Sequence, residues 1–537
     1  MKMALFDSIL VAAAAFVSHP ATLLTVHLVS FSSSAVAETI MVPKDHQTIQ
    51  AAINAAHAGD TVLVAAGTYQ ERLRLTAHIT LRSTGENTKG KLGLARTEAT
   101  IIDGGGDNGD RPGVMMAEGS RLDGFTVTNV GIYDQTTWQK HFDSQGEDLR
   151  DDEGAAQSEG TIAAISVRGV HCTVTNNIIH HNGDVGISVS GGEGQRINPL
   201  ITGNISYRNL GGGIGVADRA EAIIRSNRCF ENLRAGIGCR NSSPLVVDNV
   251  CYSNIRAGIG CREKAAPVVR GNTCYQNRRA GIGIRMKGTA PIIEKNECYE
   301  NHMAGIGTRD GATPIIRRNK CYKNKMAGIG CDGSQPLIVG NQCRENEMAG
   351  IGLRETTQTI IQDNICIENK LVAIGVTAGS TATIVGNRLV RTGGMPPVIA
   401  VRQGSTATIQ NNKIEKGGVA GILVEGTATI TGNTFEGVGE KQRTAVWVWQ
   451  GSTVNVSSNS IDGYRSVVNA VNSVVVVTKN TVSRFRGPAI IVKDSTTPAH
   501  VYGNTAITTE EHAKAVQIQG LTGIVSNNQI KPPAKQE

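Results

Sequence analysis

Apolar positions along the middle of the chain recur in one short phrase. Ala-Gly-Ile-Gly begins at Ala235, Ala257, Ala280, Ala304, Ala327 and Ala349, at intervals of 22, 23, 24, 23 and 22 residues. Weaker versions extend the series, at 164–167, 186–189 and 213–215 before it and at 373–375, 398–401, 421–424, 445–448 and 489–492 after it. A second phrase, Asn-x-Cys-x-x-Asn, keeps a fixed offset from the first, as in Asn272-Thr273-Cys274-Tyr275-Gln276-Asn277. Self-similarity at a fixed period is the mark of a stacked repeat. Within each period the β-favouring pieces, such as 281–285, 291–294 and 297–299, are too short for helices and are punctuated by Asn and Gly. The pattern predicts an all-β fold, a single-stranded right-handed parallel β-helix of roughly 20 coils stacked about 4.8 Å apart, on the order of 90 Å in all. A leucine-rich repeat has a similar length but needs Leu-x-x-Leu-x-Leu, which is absent.

Alternation along a strand assigns the faces. In 235–240 it places Ala, Ile and Cys inward, and both glycines and Arg240 outward. Cys229, Cys251, Cys274, Cys298, Cys321, Cys343 and Cys366 then form an internal column, and Cys239, Cys261 and Cys331 belong to another. The odd total of 11 cysteines and this placement favour buried thiols over a disulfide framework. Asn227, Asn249, Asn272, Asn296, Asn319, Asn341 and Asn364 make an asparagine ladder at a turn, read as amides bonding to one another and to turn backbone. Phe230, Tyr252, Tyr275, Tyr299 and Tyr322 make an aromatic ladder, either self-stacked or a platform for sugars.

Composition agrees with this picture. Of 537 residues 18% are charged and 4% aromatic, with 63 glycines, which excludes a coiled coil and a charged disordered chain. The N-terminus reads as an address: Lys2 precedes apolar runs over 9–17 and 23–31, and Ala35-Val36-Ala37 resembles a cleavage site. The expectation is a Sec-type signal peptide over 1–37, with a secreted or periplasmic chain from Glu38 and no membrane span after cleavage; an uncleaved anchor is the alternative. The boundaries expected after it are an N-terminal cap and first coils over 38–115, the β-helix over 116–530 and a tail over 531–537.

The run Gly59-Asp60-Thr61-Val62-Leu63-Val64-Ala65-Ala66-Gly67-Thr68-Tyr69-Gln70-Glu71 is similar to the opening coil of many pectin esterases and periplasmic carbohydrate-binding or sugar-hydrolysing β-helix domains. Together with the repeats it makes the chain resemble the pectate-lyase-like superfamily. Ile49, Ala52, Ile53 and Ala56 fall at helical spacing and Gly59 stops them, which resembles the capping helix of such folds. The resemblance implies the fold; activity must be argued from sites. Polygalacturonases carry Asn-Thr-Asp, Asp-Asp, Gly-His-Gly and Arg-x-Lys in successive coils, and the Asp-Asp at Asp151-Asp152 has none of the others around it. The Gly-x-x-Asp-Phe-Ile-Phe-Gly of pectin methylesterases, the Asp-Pro-His-Asp of mannuronan epimerases and the Arg-x-Pro-x-x-Arg of extracellular pectate lyases are absent. If the chain is an enzyme, the resemblance implies a polysaccharide lyase or hydrolase.

Candidate chemistry falls in three places. An insertion over 131–160 breaks the repeat and is acidic; Asp143, Asp148, Asp151 and Asp152 are candidate Ca²⁺ ligands, with a plain solvated loop as the alternative. His180, His181 and Asp184 follow it as candidate acid or base groups. The third place is the outer face of the regular coils. Residues 212–372 hold 23 Lys and Arg against 15 Asp and Glu, a balance of +8 in a chain of net charge +7. Arg240, Arg262, Arg285, Arg309 and Arg354 take equivalent outward positions, interrupted by Asp332, beside two glycine rows that make a flat trough. Trp447 and Trp449 continue the glycine and arginine rows, and Trp138 lies in the insertion; all three are candidate sugar contacts.

Arginine fits carboxylates bidentately, so the leading expectation is an acidic polysaccharide, bound and in the further case processed. An exported structural or adhesive scaffold is the second reading. The third is a periplasmic metal-handling maturation factor, on the strength of Met303, Met326 and Met348, whose sulfurs suit Cu(I). The basic stripe alone would also attract nucleic acid, but no nucleic-acid motif accompanies it.

Overall fold

The computed structural model describes residues 37–107, 109–144, 162–192, 195–392, 394–438, 444–508 and 513–533. The signal-peptide region over 1–36 therefore lies outside the described residues, as do Asp148, Asp151 and Asp152. No helix among the described residues is long and apolar enough to cross a membrane.

Residues 38–537 form one compact unit, a stack of parallel coils. One coil shows the plan. Strands Ile282–Arg285, Ile292–Glu294 and Glu297–Tyr299 are joined by short turns, and each pairs in parallel with its counterpart one coil on. The register is strict: Ile259 faces Ile282, which faces Ile306, and Cys274 faces Cys298. The first two strands of each coil build one long sheet and the third builds a second. Helix α1, Ile49–Ala55, is capped by Thr48 and buries Ile49, Ala52 and Ile53 over the first coils. It covers strand edges that would otherwise recruit other chains.

Inward positions hold Ile, Val and Cys with exposures near zero. All 11 cysteines are buried free thiols. The ladder asparagines are buried as well, and a second ladder accompanies the first: Asn232, Asn254, Asn277, Asn301, Asn324 and Asn346 repeat the bonding pattern at the other end of the third strand.

The alternation expected for 235–240 holds only from Ile237 onward. Gly236, Gly258, Gly281, Gly305, Gly328 and Gly350 do not face solvent. A Cβ on Gly281 would stand 2.8 Å from Asn301 Nδ2 and 3.1 Å from Cys298 Cβ. The strand begins at Ile237, so Ala235 and Gly236 sit in the preceding corner, where the glycine row turns inward and leaves room for the asparagine amides. The alanines of this phrase lie beside the outward glycines, Ala235 and Ala257 half-buried and Ala280, Ala304, Ala327 and Ala349 buried with only a small part of each in reach of solvent. A Cβ on Gly283 would meet Ala257 Cβ at 3.4 Å, and one on Gly307 would meet Ala280 Cβ at 3.5 Å.

Candidate functional site

The remaining glycine row, Gly238, Gly260, Gly283, Gly307, Gly330 and Gly352, does face outward, with no neighbour within 4 Å of a Cβ on Gly238. Those glycines and the alanine row beside them pave a floor without large side chains. One wall is the expected arginine row. Arg240 faces Arg262, Arg285 faces Arg309, and Asp332 stands between Arg309 and Arg354.

The opposite wall is a second arginine row that the phrase-by-phrase reading missed. Arg234, Arg256 and Arg279 each directly precede a floor alanine. The same column continues as Met303, Met326 and Met348, tied coil to coil through their backbones. Three consecutive coils thus place a guanidinium on each side of the floor. The signal for it was present as the Arg-Ala-Gly triplets at 234–236 and 256–258 and Arg279-Ala280-Gly281.

The electrostatics of the first wall are uneven. Glu263 lies 3.8 Å from Arg240 and 3.4 Å from Arg262, Asp310 lies 3.3 Å from Arg309, and Asp332 takes Arg354 through two hydrogen bonds of 2.8 and 3.0 Å. Among the described residues Arg285 has no carboxylate within ion-pair distance. Burial lowers the pKa of Arg262; Glu263 opposes the shift, while Arg285, Arg240 and Arg234 add to it. The influence of Arg234 acts from the opposite wall. The trough gathers arginines of both walls, and on the first wall Glu263, Asp310 and Asp332 stand against Arg240, Arg262, Arg309 and Arg354.

The model of the family described as "Right handed beta helix region" matches residues 158–292, 264–389 and 397–535. The chain belongs to this right-handed β-helix family. No curated protein matches it. Among solved structures, the mannuronan C-5 epimerase AlgE4 A-module of Azotobacter vinelandii is 15% identical, with a TM-score of 0.36 over 76% of this chain and 94% of that one. The periplasmic alginate epimerase AlgG is 14% identical, with a TM-score of 0.34 over 63% of this chain and 73% of that one. XylC in complex with xylose is 10% identical, with a TM-score of 0.37 over 71% and 84%. These likenesses are of fold.

In this β-helix the other candidate residues are dispersed. Trp447 lies in register with Leu423 and Asn469, in the outward column that runs from the floor glycines through Gly375 and Ala400. Trp449 is 47% exposed, and the two indoles meet edge to face at 5.2 Å. Trp138 is a correction. It sits on helix α3, Gln135–Asp143, and is 1% exposed, packed on Leu233 and Ile255 and against Phe142. Its Nε1–H donates to the Glu231 carbonyl, and Arg208 lies 4.7 Å from its ring. An insertion helix has to bury an apolar side somewhere, and this indole anchors it to the coils instead of meeting a sugar.

Asp143 accepts a hydrogen bond from Gln139 near the end of α3. Among the described residues no group of three or more His, Cys, Asp or Glu side chains is placed to hold a metal. Met303 and Met348 are 42% and 38% exposed.

His180 and His181 lie on the third-strand face, away from the trough. Their Nδ1 atoms are 2.7 Å apart, and His180 tilts over Tyr207 at 5.0 Å. Burial, with His181 beside it, pushes the His180 imidazole down to about 4. Asp184 takes part in neither contact. The aromatic ladder next to them runs from Tyr207 to Tyr322 with centroids 4.8–5.0 Å apart and planes within 9°. Each ring covers the face of the next, so the ladder offers edges to solvent and no open platform for a sugar.

Proposed function

We propose that this protein is exported and binds an acidic polysaccharide, uronate-bearing or sulfated, laid along the trough from coil to coil. The observation that supports the reading is the pair of arginine rows, Arg234, Arg256 and Arg279 facing Arg240, Arg262 and Arg285 across a floor of glycine and alanine. A guanidinium takes a carboxylate or sulfate through two parallel hydrogen bonds. A floor without side chains lets a flat pyranose ring approach the backbone. Three consecutive coils each add a pair of cations about 4.8 Å along, so an oligomer that spans them gains contacts with length while a single sugar meets one rung. Beyond the arginines, Trp447 and Trp449 supply apolar faces that pack on sugar rings. The reading is one of binding; processing of the polymer is not part of it, because the histidine pair lies on another face.

Binding of polyuronates, sulfated glycans and neutral glycans to the full chain tests it by calorimetry. The expected result is binding of acidic polymers that strengthens with chain length, and a loss of at least tenfold when Arg256, Arg262, Arg279 and Arg285 are all replaced by Gln. Equal affinity for neutral polymers, or a quadruple variant that binds as the parent does, overturns the proposal; the scaffold reading then replaces it. Export is tested separately, by finding the protein outside the cytoplasm with a mature N-terminus at Glu38.

A further inference from the structure

The second strand of each coil carries a feature that neither the trough nor the core requires. Its first outward position is aliphatic in every coil from Leu200 to Ile360. The register joins Leu200 to Ile223 and continues coil by coil through Leu245 and Ile315 to Leu337 and Ile360. In the next coils the same position is Thr383, Thr408 and Thr429. Leu245, Ile315 and Leu337 are each 37% exposed and Ile360 is 47% exposed. Threonine suits a strand as well as isoleucine does, so the fold itself does not demand aliphatic side chains there. Leu200, Ile223, Val268 and Ile292 of the same stripe are half-buried, and an apolar stripe of this length that reaches the surface marks a contact surface.

We infer that this stripe is the interface of a homodimer in which two copies lie face to face with their coil axes parallel. Spacing favours a second copy as the occupant. Stripe residues recur about every 4.8 Å, and a partner surface with the same repeat meets them rung for rung. Area is sufficient: eight coils by three outward rows cover on the order of 700 Å² per copy, near the roughly 800 Å² per partner of a standard interface.

Charge sets the orientation. One flank of the stripe is cationic, with Arg225, Arg270 and Arg317 exposed and the buried Glu294 bonded to the latter two. The other flank carries no cation over the same coils: Ser243, Ala266 and Thr313 are exposed and neutral, and the column ends at Glu221, which pairs with Arg196. A two-fold axis running along the coils sets each cationic flank against the partner's neutral one. A two-fold axis across the coils would set arginine against arginine, which is unfavourable.

Sedimentation equilibrium of the full chain and cysteine cross-linking test this. The parent is expected to sediment at twice the chain mass. Ile315→Lys combined with Leu337→Lys should weaken self-association at least 100-fold, with unchanged circular dichroism because both positions are exposed. In the parallel arrangement Ile360 faces its own copy, whereas in an antiparallel one it would face the Leu200 end. Ile360→Cys should therefore form a covalent dimer under mild oxidant, read against native thiols that are all buried. A parent that is monomeric at tens of micromolar, a double-lysine variant that remains dimeric, or a dimer in which Ile360→Cys does not cross-link overturns the inference.

Discussion

The side-chain oxygen of Asn319 accepts two hydrogen bonds from Asn296, one from its side-chain amide and one from its backbone N–H, both at 2.9 Å. Asn319 in turn donates to Asn341 and to the Ile293 carbonyl, so each rung satisfies the one before it. Asn319→Ala would strip two buried donors of their acceptor. Leaving buried donors unpaired costs about 1–3 kcal/mol each, so the variant should lose roughly 2–6 kcal/mol in denaturant unfolding. Asn528, part-buried at the last coils, should tolerate the same change with a smaller loss.

Asp123 and Arg96 form a buried ion pair that ties helix α2, Ala95–Ala99, to the coils. Burial would raise the Asp123 pKa, but hydrogen bonds from Asn176 and Arg96 outweigh it and the net shift is downward. A depressed carboxylate pKa contributes stability above the ordinary range near 3.8, and that stability disappears as pH falls through the folded value. Asp123→Ala would leave the Arg96 charge buried and alone, which costs about 3–5 kcal/mol. Its stability profile should also lose part of the parent's acid-side decline.

His180 works in the opposite region. Its folded pKa is near 4 and an unfolded histidine titrates near 6.5. Above pH 6.5 both states are neutral and the fold keeps its full stability. Between pH 6.5 and about 4 the unfolded chain takes up a proton that the folded chain refuses, so stability falls by up to about 1.4 kcal/mol per pH unit. His180→Phe, which can extend the stack on Tyr207, should flatten that decline when unfolding is followed against pH.

The thiols supply a simpler check. Burial pushes the Cys172 thiol up to about 12, with Glu118 adding to the shift. The column cysteines are likewise raised, with hydrogen bonds from neighbouring thiols as the largest cause. Native protein should react with few equivalents of a thiol reagent, and denatured, unreduced protein with 11.

What was legible in the sequence follows from what repeats. Strand positions, the cysteine column, the first asparagine ladder and the Arg240 row each recur at the coil period, and a period fixes a face. Alternation failed at Gly236 because it was carried back through a corner, where the chain is no longer a strand. The Arg234 row and the Leu200–Ile360 stripe are periodic too, but lie outside the Ala-Gly-Ile-Gly and Asn-x-Cys-x-x-Asn phrases. Trp138 was not legible at all. Its burial depends on Leu233 and Ile255, 95 and 117 residues away in sequence, and no local pattern states what covers an insertion.

The trough makes a prediction that separates binding from a passive surface. Arg285 faces Arg309, and Arg262 feels it as a neighbouring like charge. Among the described residues no carboxylate offsets Arg285. Exposed pairs contribute only about 0–1 kcal/mol, so removing one member of a repelling row should leave stability unchanged or raise it by a few tenths of a kcal/mol. Arg285→Gln should therefore melt at or slightly above the parent while binding polyuronate more weakly. The deficit should shrink as salt rises, because exposed charges are screened over about 8–10 Å at moderate ionic strength. Trp447→Ala with Trp449→Ala should weaken binding by an amount that salt changes little, since packing on sugar faces is apolar. If Arg285→Gln costs stability and leaves binding intact, the row holds the fold together and reads no polymer.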